Sequence, residues 1–171
     1  RHCPFRTGGR SFYQQTPMVG APAPSMSKGA RILMLLLAAV SMAFFTASLI
    51  HPLLHGESGR ILGELLGKTC HRFPHRSLHL PWGISGLCAR CTAFWGAAGL
   101  ASLAMALGFR PPGLPAGLLM LVPLIADGGL QYLGLYESTN LMRVATGLLA
   151  GAGVASLYCG LGLQVGRLSR H

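Results

Sequence analysis

The hydrophobic pattern of this chain consists of four long apolar runs separated by short polar segments. Asp, Glu, Lys and Arg are absent from residues 32–54, 92–109, 111–125 and 144–165. An α-helix needs about 20 predominantly apolar residues to cross the hydrocarbon core of a bilayer. The pattern therefore predicts an all-α polytopic transmembrane bundle of about four helices, with spans near residues 32–54, 90–109, 114–135 and 141–163.

The polar segments are expected to fall on alternate sides of this bundle. With four spans, both termini share one side, and the loop 55–89 shares the other side with the short turn 136–140. The loop, which is rich in Cys and His, leads into the second span at the end where the third span stops and the fourth begins. Polar residues at these three helix ends should therefore lie close together.

Composition and charge favour a membrane protein over a soluble one. Charged residues make up 11% of the chain and apolar residues 51%, whereas about a quarter of a soluble domain is charged. The formal charge of +10 is carried at span ends and in loops, without a basic helix face or interleaved aromatic residues. This placement is typical of residues that set membrane orientation and attract anionic lipid head groups, and it argues against a nucleic-acid partner.

Residues 1–25 differ from the rest of the chain. They are rich in Gly and Pro and begin with Arg1, whereas Met26 stands just before the first apolar run. We interpret residues 1–25 as a disordered tail or an upstream extension, and residues 26–171 as a single transmembrane helical domain. The first apolar run also resembles a signal peptide, but it is long and lacks an Ala-x-Ala exit, which favours a retained span.

Polar residues interrupt the third and fourth apolar runs at Asp127, Gln131 and Arg143. Asp127 precedes Glu137 by ten residues, which is about 15 Å along a regular helix and predicts a position near mid-bilayer. A carboxylate at that depth must be paired or neutralised, and Arg143 is the expected partner. The pair either locks two helices or marks a functional group that carries a proton or a cation.

The loop before the second span contains Cys70-His71 and the Cys-x-x-Cys motif Cys88-Ala89-Arg90-Cys91. Two groups of this kind offer four ligands that tetrahedral zinc or another transition metal prefers. Because Cys70 and His71 are adjacent, one backbone does not easily aim both at one ion, and His75 or His79 is an alternative ligand. The sequence therefore predicts a metal site at the membrane face.

Two other interpretations of these cysteines stay open. Cys88 and Cys91 at a helix N-terminus form a candidate redox pair, because the helix end and Arg90 would stabilise a thiolate. Cys70 could then exchange with that pair. The third interpretation is a structural disulfide or zinc clamp, although an odd number of loop cysteines argues against a simple disulfide framework.

The order of these motifs resembles a prokaryotic membrane-protein family known as domain of unknown function 2085. The resemblance covers roughly residues 65–155 and rests on Cys70-His71-x-x-Pro74-x-Arg76-Ser77, Cys88-Ala89-Arg90-Cys91-Thr92, Asp127-Gly128-x-x-Gln131, Ser138-x-Asn140-x-x-Arg143 and Thr146-Gly147. Arg72 stands where the family frequently has Gln, and Ala93 where it frequently has Gly. The resemblance implies that these polar residues form one unit in an integral protein of the prokaryotic cytoplasmic membrane.

These residues predict a Cys/His metal site above an intramembrane polar core. The expected metal ligands are Cys70, His71, Cys88 and Cys91. The candidate catalytic residues are Asp127, Gln131 and Arg143. The candidate substrate-binding residues are Arg76 and Arg90, with Ser138 and Asn140 at the rim of the entrance.

Three functional classes fit this arrangement. One is a membrane enzyme acting on a lipid or prenyl substrate, whose phosphate group Arg76, Arg90 and Arg143 would hold, because arginine matches phosphate bidentately. The second is a thiol–disulfide redox protein that uses Cys88 and Cys91. The third is a non-catalytic scaffold or accessory subunit. The pattern identifies neither the reaction nor the oligomeric state.

Overall fold

The structure, a computed structural model, describes residues 26–168. The interpretation of residues 1–25 lies outside the described residues, and the single domain over 26–171 stays a prediction. The elements are α1 (Lys28–Ile50), α2 (Gly56–Gly67), β1 (Ser77–Leu80), β2 (Gly83–Cys88), α3 (Ala89–Ala106), α4 (Leu114–Leu119), α5 (Val122–Tyr132) and α6 (Asn140–Leu168). Short 3-10 turns occupy His51–Leu53 and Pro74–Arg76.

Helix α1 runs antiparallel to α3 and α6, which run parallel to each other. Ser48, near the end of α1, shares a hydroxyl hydrogen bond of 2.9 Å with Thr92 at the start of α3. At the opposite end, Met34 of α1 packs with Met105 of α3 and Cys159 of α6, which both lie towards the C-termini of their helices. Helix α1 therefore runs towards the end from which α3 and α6 depart. We call this end, where the β-hairpin also lies, the hairpin end.

Small residues let α3 pack closely against its neighbours, α1 and α6. A Cβ on Gly147 would meet the carbonyl oxygen of Arg90, and one on Gly151 would meet that of Phe94. Contacts this close require glycine on α6, as is common where membrane helices cross. The same contacts fix the N-terminal turn of α3 against α6.

Within the described residues, three helical segments are long and apolar enough to cross a membrane, namely Lys28–Leu53, Leu114–Tyr132 and Asn140–Leu163. The predicted second span corresponds to α3, which has 18 residues and a length of about 27 Å. Its small residues and Arg90 make α3 less apolar than the other three. The predicted fold class, an all-α polytopic bundle of about four helices, is confirmed, while the crossing by α3 itself stays a prediction.

Large apolar side chains cover the outer faces of the long helices. Leu36 of α1 is 59% exposed, Leu100 of α3 62% and Leu141 of α6 78%. Most of the buried apolar residues of these helices are alanines, such as Ala98, with Met34 and Met105 as larger members. This distribution fits a chain surrounded by lipid, where small residues drive close helix packing.

The predicted third span is broken into α4 and α5. Pro123 lies in the first turn of α5, where a missing N–H costs no helical hydrogen bond. At the other end, Gly134 adopts a φ of 70° and lets the chain reverse after Tyr132. The predicted helical distance of about 15 Å from Asp127 to Glu137 is therefore wrong, because α5 ends five residues after Asp127, about 8 Å away.

The loop 55–89 contains an antiparallel β-hairpin that the sequence pattern did not predict. Leu80 pairs with Gly83 beside the turn, and Ser77 pairs with Cys88 at the open end. The hairpin is fastened to α1, because the Trp82 indole N–H donates to the Leu49 carbonyl at 3.0 Å. Strand β2 continues directly into α3, so the position of the hairpin determines where α3 begins.

Candidate functional site

Three cysteines meet at the hairpin end of the bundle. The Sγ atoms of Cys70, Cys88 and Cys91 all lie within 4.8 Å of one another, and all three thiols are free. Cys70 follows α2, Cys88 caps the N-terminus of α3, and Cys91 lies in the first turn of that helix. The fold therefore brings these three cysteines together, as the sequence predicts.

A single arginine fastens the loop that carries Cys70. Arg72 has a φ of 53°, which is unusual for a residue with a side chain. Its guanidinium donates to the Gly63 carbonyl at 2.7 Å and contacts His51 Nε2 at 2.8 Å. These contacts tie the loop to α2 and to the end of α1, and Arg72 thereby positions Cys70. No pattern in the sequence indicates this role of Arg72.

The cysteine cluster stabilises one thiolate. Hydrogen bonds from the Cys88 and Cys91 thiols hold the pKa of Cys70 well below its usual range, with help from the backbone. The backbone N–H of Cys88 donates to Cys70 Sγ at 3.5 Å. The same contact with Cys70 raises the pKa of Cys88. A metal ion would displace the remaining protons, because thiolates are the ligand form of cysteine.

His71 lies apart from this group of ligand atoms. Its imidazole is exposed and stacks on Phe73 with ring centroids 6.1 Å apart. The set of ligand atoms within 4.8 Å contains the three cysteines and not His71. His71 does line the cavity beside the cluster, and its role as the fourth ligand stays a prediction. His75, the suggested substitute, lies 3.8 Å from Glu137 Oε1 instead.

A cavity of about 210 Å³ opens beside the cysteines, between the loop after α2 and the facing ends of α3, α5 and α6. Its basic lining residues are Arg72, Arg76, Arg90 and Arg143. Gln131 also lines it, whereas no Asp or Glu of the described residues does. The cavity confirms that these helix ends meet on one side, and it gives the cysteine site an electropositive neighbour.

The partner of Asp127 is Arg90, so the predicted Asp127–Arg143 pair is wrong. The Arg90 guanidinium donates to Asp127 Oδ2 and more weakly to Gln131 Oε1, at 3.4 Å. Asp127 is 5% exposed and accepts a second hydrogen bond from the Tyr136 hydroxyl. Helix α3 thus supplies the counterion, because its first turn packs against α6 and the Arg90 side chain reaches α5 from there.

Arg143 is buried and bonded to a neutral group. It is 4% exposed and donates from Nη1 to Asn140 Oδ1 at 2.9 Å. Asn140 in turn donates to the Ser77 carbonyl of β1 at 3.3 Å, which links the hairpin to the start of α6. Asn140 therefore supports Arg143 and is absent from the cavity lining among the described residues.

Ser138 does not form the rim of the cavity either. Its side chain is buried and donates to the carbonyl of Thr139 at 3.4 Å. Ser138 lies in the turn before α6 and Asn140 is the first residue of that helix, and neither is among the described residues that line the cavity. Their assignment as substrate-binding residues stays a prediction without a lining contact to support it.

Tyr136 is a member of the site that the sequence analysis missed. It lies beyond the end of α5, so helical periodicity from Asp127 does not reach it. The reversal at Gly134, where the Leu135 N–H donates back to the Leu130 carbonyl at 3.1 Å, returns Tyr136 to the carboxylate. An aromatic residue shortly after a glycine at a helix end is the signal that could have indicated this contact.

Comparison with known proteins places these residues in a family. The family described as "Predicted membrane protein (DUF2085)" matches residues 70–157, which run from the first cysteine of the cluster into α6. The chain belongs to the DUF2085 family. The resemblance drawn from the ordered motifs is thereby confirmed, and the matched region contains the three cysteines of the cluster and the four arginines that line the cavity.

A relative from the archaeon Methanothermobacter thermautotrophicus supports membership of the DUF2085 family. It is described as "Uncharacterized protein" and is 33% identical over 91 residues, which cover 52% of this chain and 82% of the relative. No solved structure matches this chain.

Proposed function

We propose that this chain is a metal-binding integral protein of the prokaryotic cytoplasmic membrane, with Cys70, Cys88 and Cys91 as ligands. The observation that carries the proposal is the approach of three Sγ atoms to within 4.8 Å of one another. Around a tetrahedral zinc ion with Zn–S distances of about 2.3 Å, sulfur atoms lie about 3.8 Å apart. A small contraction of the cluster would therefore fit zinc or a similar transition metal.

The donor set leaves one position of such a metal for another ligand. Three protein ligands with an open position are typical of catalytic zinc sites, whereas structural sites have four protein ligands. In this protein the cluster borders the cavity, where His71 is also found. His71 would close the site as a fourth ligand, whereas an open position would face the cavity.

An enzyme acting on a lipid or prenyl substrate is the catalytic form of this proposal. A bound metal supplies Lewis-acid polarisation or an activated water. The chain's own contribution would be to hold an anionic group with Arg76, Arg90 and Arg143 and to keep Arg90 in place through Asp127. Gln131 would orient the same group by its amide, as it lines the cavity beside Arg90.

Thiol–disulfide exchange is the second candidate, and the stabilised Cys70 thiolate favours it. A low thiol pKa with two further thiols nearby is the arrangement that thiol exchange uses. Cys70, Cys88 and Cys91 are all free in this structure. In that case a reversible disulfide would form in the cluster, and the oxidised chain would bind no metal.

Metal content of the full chain purified in detergent without chelator tests the proposal. We expect one metal ion per chain in the wild type and its loss in Cys88→Ser/Cys91→Ser, measured by elemental mass spectrometry. Cys159→Ser is the matched control, because that thiol is buried in the bundle interior away from the cluster, and it should keep the metal.

A metal-free wild type would contradict the metal proposal. Trapping with a mass-shifting maleimide before and after mild oxidation would then distinguish the two candidates. Reversible protection of two of the three cluster cysteines would favour thiol exchange. If the wild type binds metal, the metal affinity of the His71→Ala variant shows whether His71 is a ligand. A site closed by His71 would lose affinity in this variant, and an open site would keep it.

A further inference from the structure

Four residues that line the cavity beside the cysteines carry buried hydrogen-bond donors without acceptors. Among the described residues, Arg72 Nε, Arg90 Nε, Gln131 Nε2 and Arg143 Nη2 are buried and have no hydrogen-bond partner. All four belong to residues that line this one cavity. A buried polar group left unpaired destabilises the folded state, because it has lost its hydrogen bonds to water and gained none in return. A ligand rich in acceptor oxygens would remove that destabilisation for the donors that it reaches.

The cavity also holds a positive charge that the protein does not neutralise. Arg90 pairs with Asp127, and Arg76 lies 3.7 Å from the exposed Glu137. Arg143 forms no ion pair within the described part of the chain and is bonded to the neutral Asn140. A buried charge needs compensation, and an anion in the cavity would provide it.

The size of the cavity limits what this anion can be. A volume of about 210 Å³ is below the roughly 300–1,000 Å³ of pockets that enclose drug-sized molecules. The space therefore suits a small charged group rather than an entire lipid. Guanidinium groups bind phosphate and carboxylate oxygens in pairs, and donors on three different helices favour a tetrahedral group over a planar one.

We propose that this cavity binds a phosphate-type oxyanion, with Arg143 as the principal cation and Arg90 and Gln131 as further donors. Arg143 lies in the first turn of α6, where the helix N-terminus adds to the attraction for negative charge. The oxyanion is either free phosphate or the phosphate of a lipid whose chains remain in the bilayer. The inference deepens the catalytic form of the proposed function, in which these arginines hold an anionic group, and it is independent of the metal because it rests on the arginines and not on the cysteines.

Binding measurements on the full chain in non-ionic detergent test this inference. The first arm titrates inorganic phosphate into the protein by calorimetry. The second arm reconstitutes the protein in nanodiscs of phosphatidylcholine with and without phosphatidic acid and measures retained lipid by mass spectrometry. Binding in the first arm identifies a free oxyanion as a sufficient ligand, and binding in the second arm alone identifies the lipid phosphate.

Arg143→Gln should weaken binding in the positive arm by about tenfold or more, since a charge-assisted hydrogen bond contributes about 1.5–3 kcal/mol. Arg60→Gln is the matched control, because Arg60 is exposed on α2 and pairs with Glu57 and Glu64. Arg143→Lys keeps the positive charge but loses the planar guanidinium group with its paired N–H donors. We therefore expect a binding affinity between those of the wild type and Arg143→Gln. Arg143→Lys also provides a folded comparison if Arg143→Gln is unstable.

Two results would overturn the inference: no binding in either arm, or equal losses in Arg143→Gln and Arg60→Gln. Repeating the titration with Cys88→Ser/Cys91→Ser separates this inference from the metal proposal. Oxyanion binding that persists in that variant supports the arginine cavity whatever the metal content. Binding that disappears there, while Arg143→Gln binds normally, would place the anion on the cysteine site and contradict the role of Arg143.

Discussion

At the scale of single residues, Arg90 connects the cysteine cluster with the buried Asp127. It stands between Cys88 and Cys91 in the sequence, while its guanidinium reaches Asp127 on α5. Its side chain is 21% exposed and that of Asp127 is 4% exposed. Arg90 lines the cavity whereas Asp127 does not, and the first effect of the pair is to link the start of α3 to α5.

Replacing Asp127 by Asn should destabilise the protein while leaving the metal site intact. Removing one partner of a buried ion pair costs about 3–5 kcal/mol, and we expect the lower end because Arg90 keeps some contact with solvent. Thermal unfolding in detergent would measure the loss of stability, and elemental analysis would show unchanged metal content.

Glu137→Gln is the control for Asp127→Asn, because Glu137 is 69% exposed and its ion pairs with His75 and Arg76 are weak. Exposed pairs contribute roughly 0–1 kcal/mol. Equal changes in stability for the two variants would show that the Asp127–Arg90 pair is not an important contact. Loss of metal in Asp127→Asn would instead assign the carboxylate to the cysteine site.

The grouping of Cys70, Cys88 and Cys91 could be predicted from the sequence, because a Cys-x-x-Cys motif at a helix start places its thiols side by side. The partner of Asp127 could not. Helical periodicity gives the face on which a residue lies, but the neighbour on that face depends on which helix packs there. Arg90 and Arg143 both enter the site from helix N-termini, and only the packing of α3 decides between them.

At the scale of secondary-structure elements, the contact between α3 and α6 determines the position of the N-terminal turn of α3. Gly147 approaches the Arg90 carbonyl so closely that a Cβ there has no room. Since α3 carries Cys91 and Arg90 in this turn, the contact sets the distance from the cysteines to the cavity. Strand β2 fixes the same turn from the other side.

Gly147→Ala should therefore lower stability by about 1–3 kcal/mol, the range for overpacking a tight contact. The control is Gly129→Ala on α5, where nothing lies within 4 Å of an added Cβ and helix propensity favours Ala by up to about 1 kcal/mol. The two melting temperatures in detergent should move in opposite directions. A shift of the same sign and size in both would rule out a tight α3–α6 contact at this position.

Helix α3 is the element whose relation to the membrane matters most for the whole molecule. Its composition is less apolar than that of the three candidate spans, yet Leu100 and Leu103 are well exposed on its outer face. A helix of about 27 Å nearly matches a hydrocarbon core of about 30 Å. We expect α3 to cross the membrane, so that the hairpin end and the loop 107–113 lie on opposite sides.

Protease sites inserted after Leu54 and after Gly108 test this arrangement, since exposed loops tolerate insertion. In sealed right-side-out and inside-out vesicles, each site should be cut from one face, and the two faces should differ. Cleavage of both sites from the same face would show that α3 does not cross. The site that is cut only from the cytoplasm also gives the orientation of the cysteine cluster.

The sequence by itself determined that this chain is a helical membrane protein, and it indicated the cysteine cluster. Long uncharged runs have few stable alternatives to membrane helices, and Cys and His in a polar loop stand out against them. The tertiary structure alone decided the β-hairpin, the break between α4 and α5, the role of Arg72 and the pairing of Arg90 with Asp127. These features depend on contacts between residues far apart in the chain, and local periodicity contains no information about which distant surfaces meet.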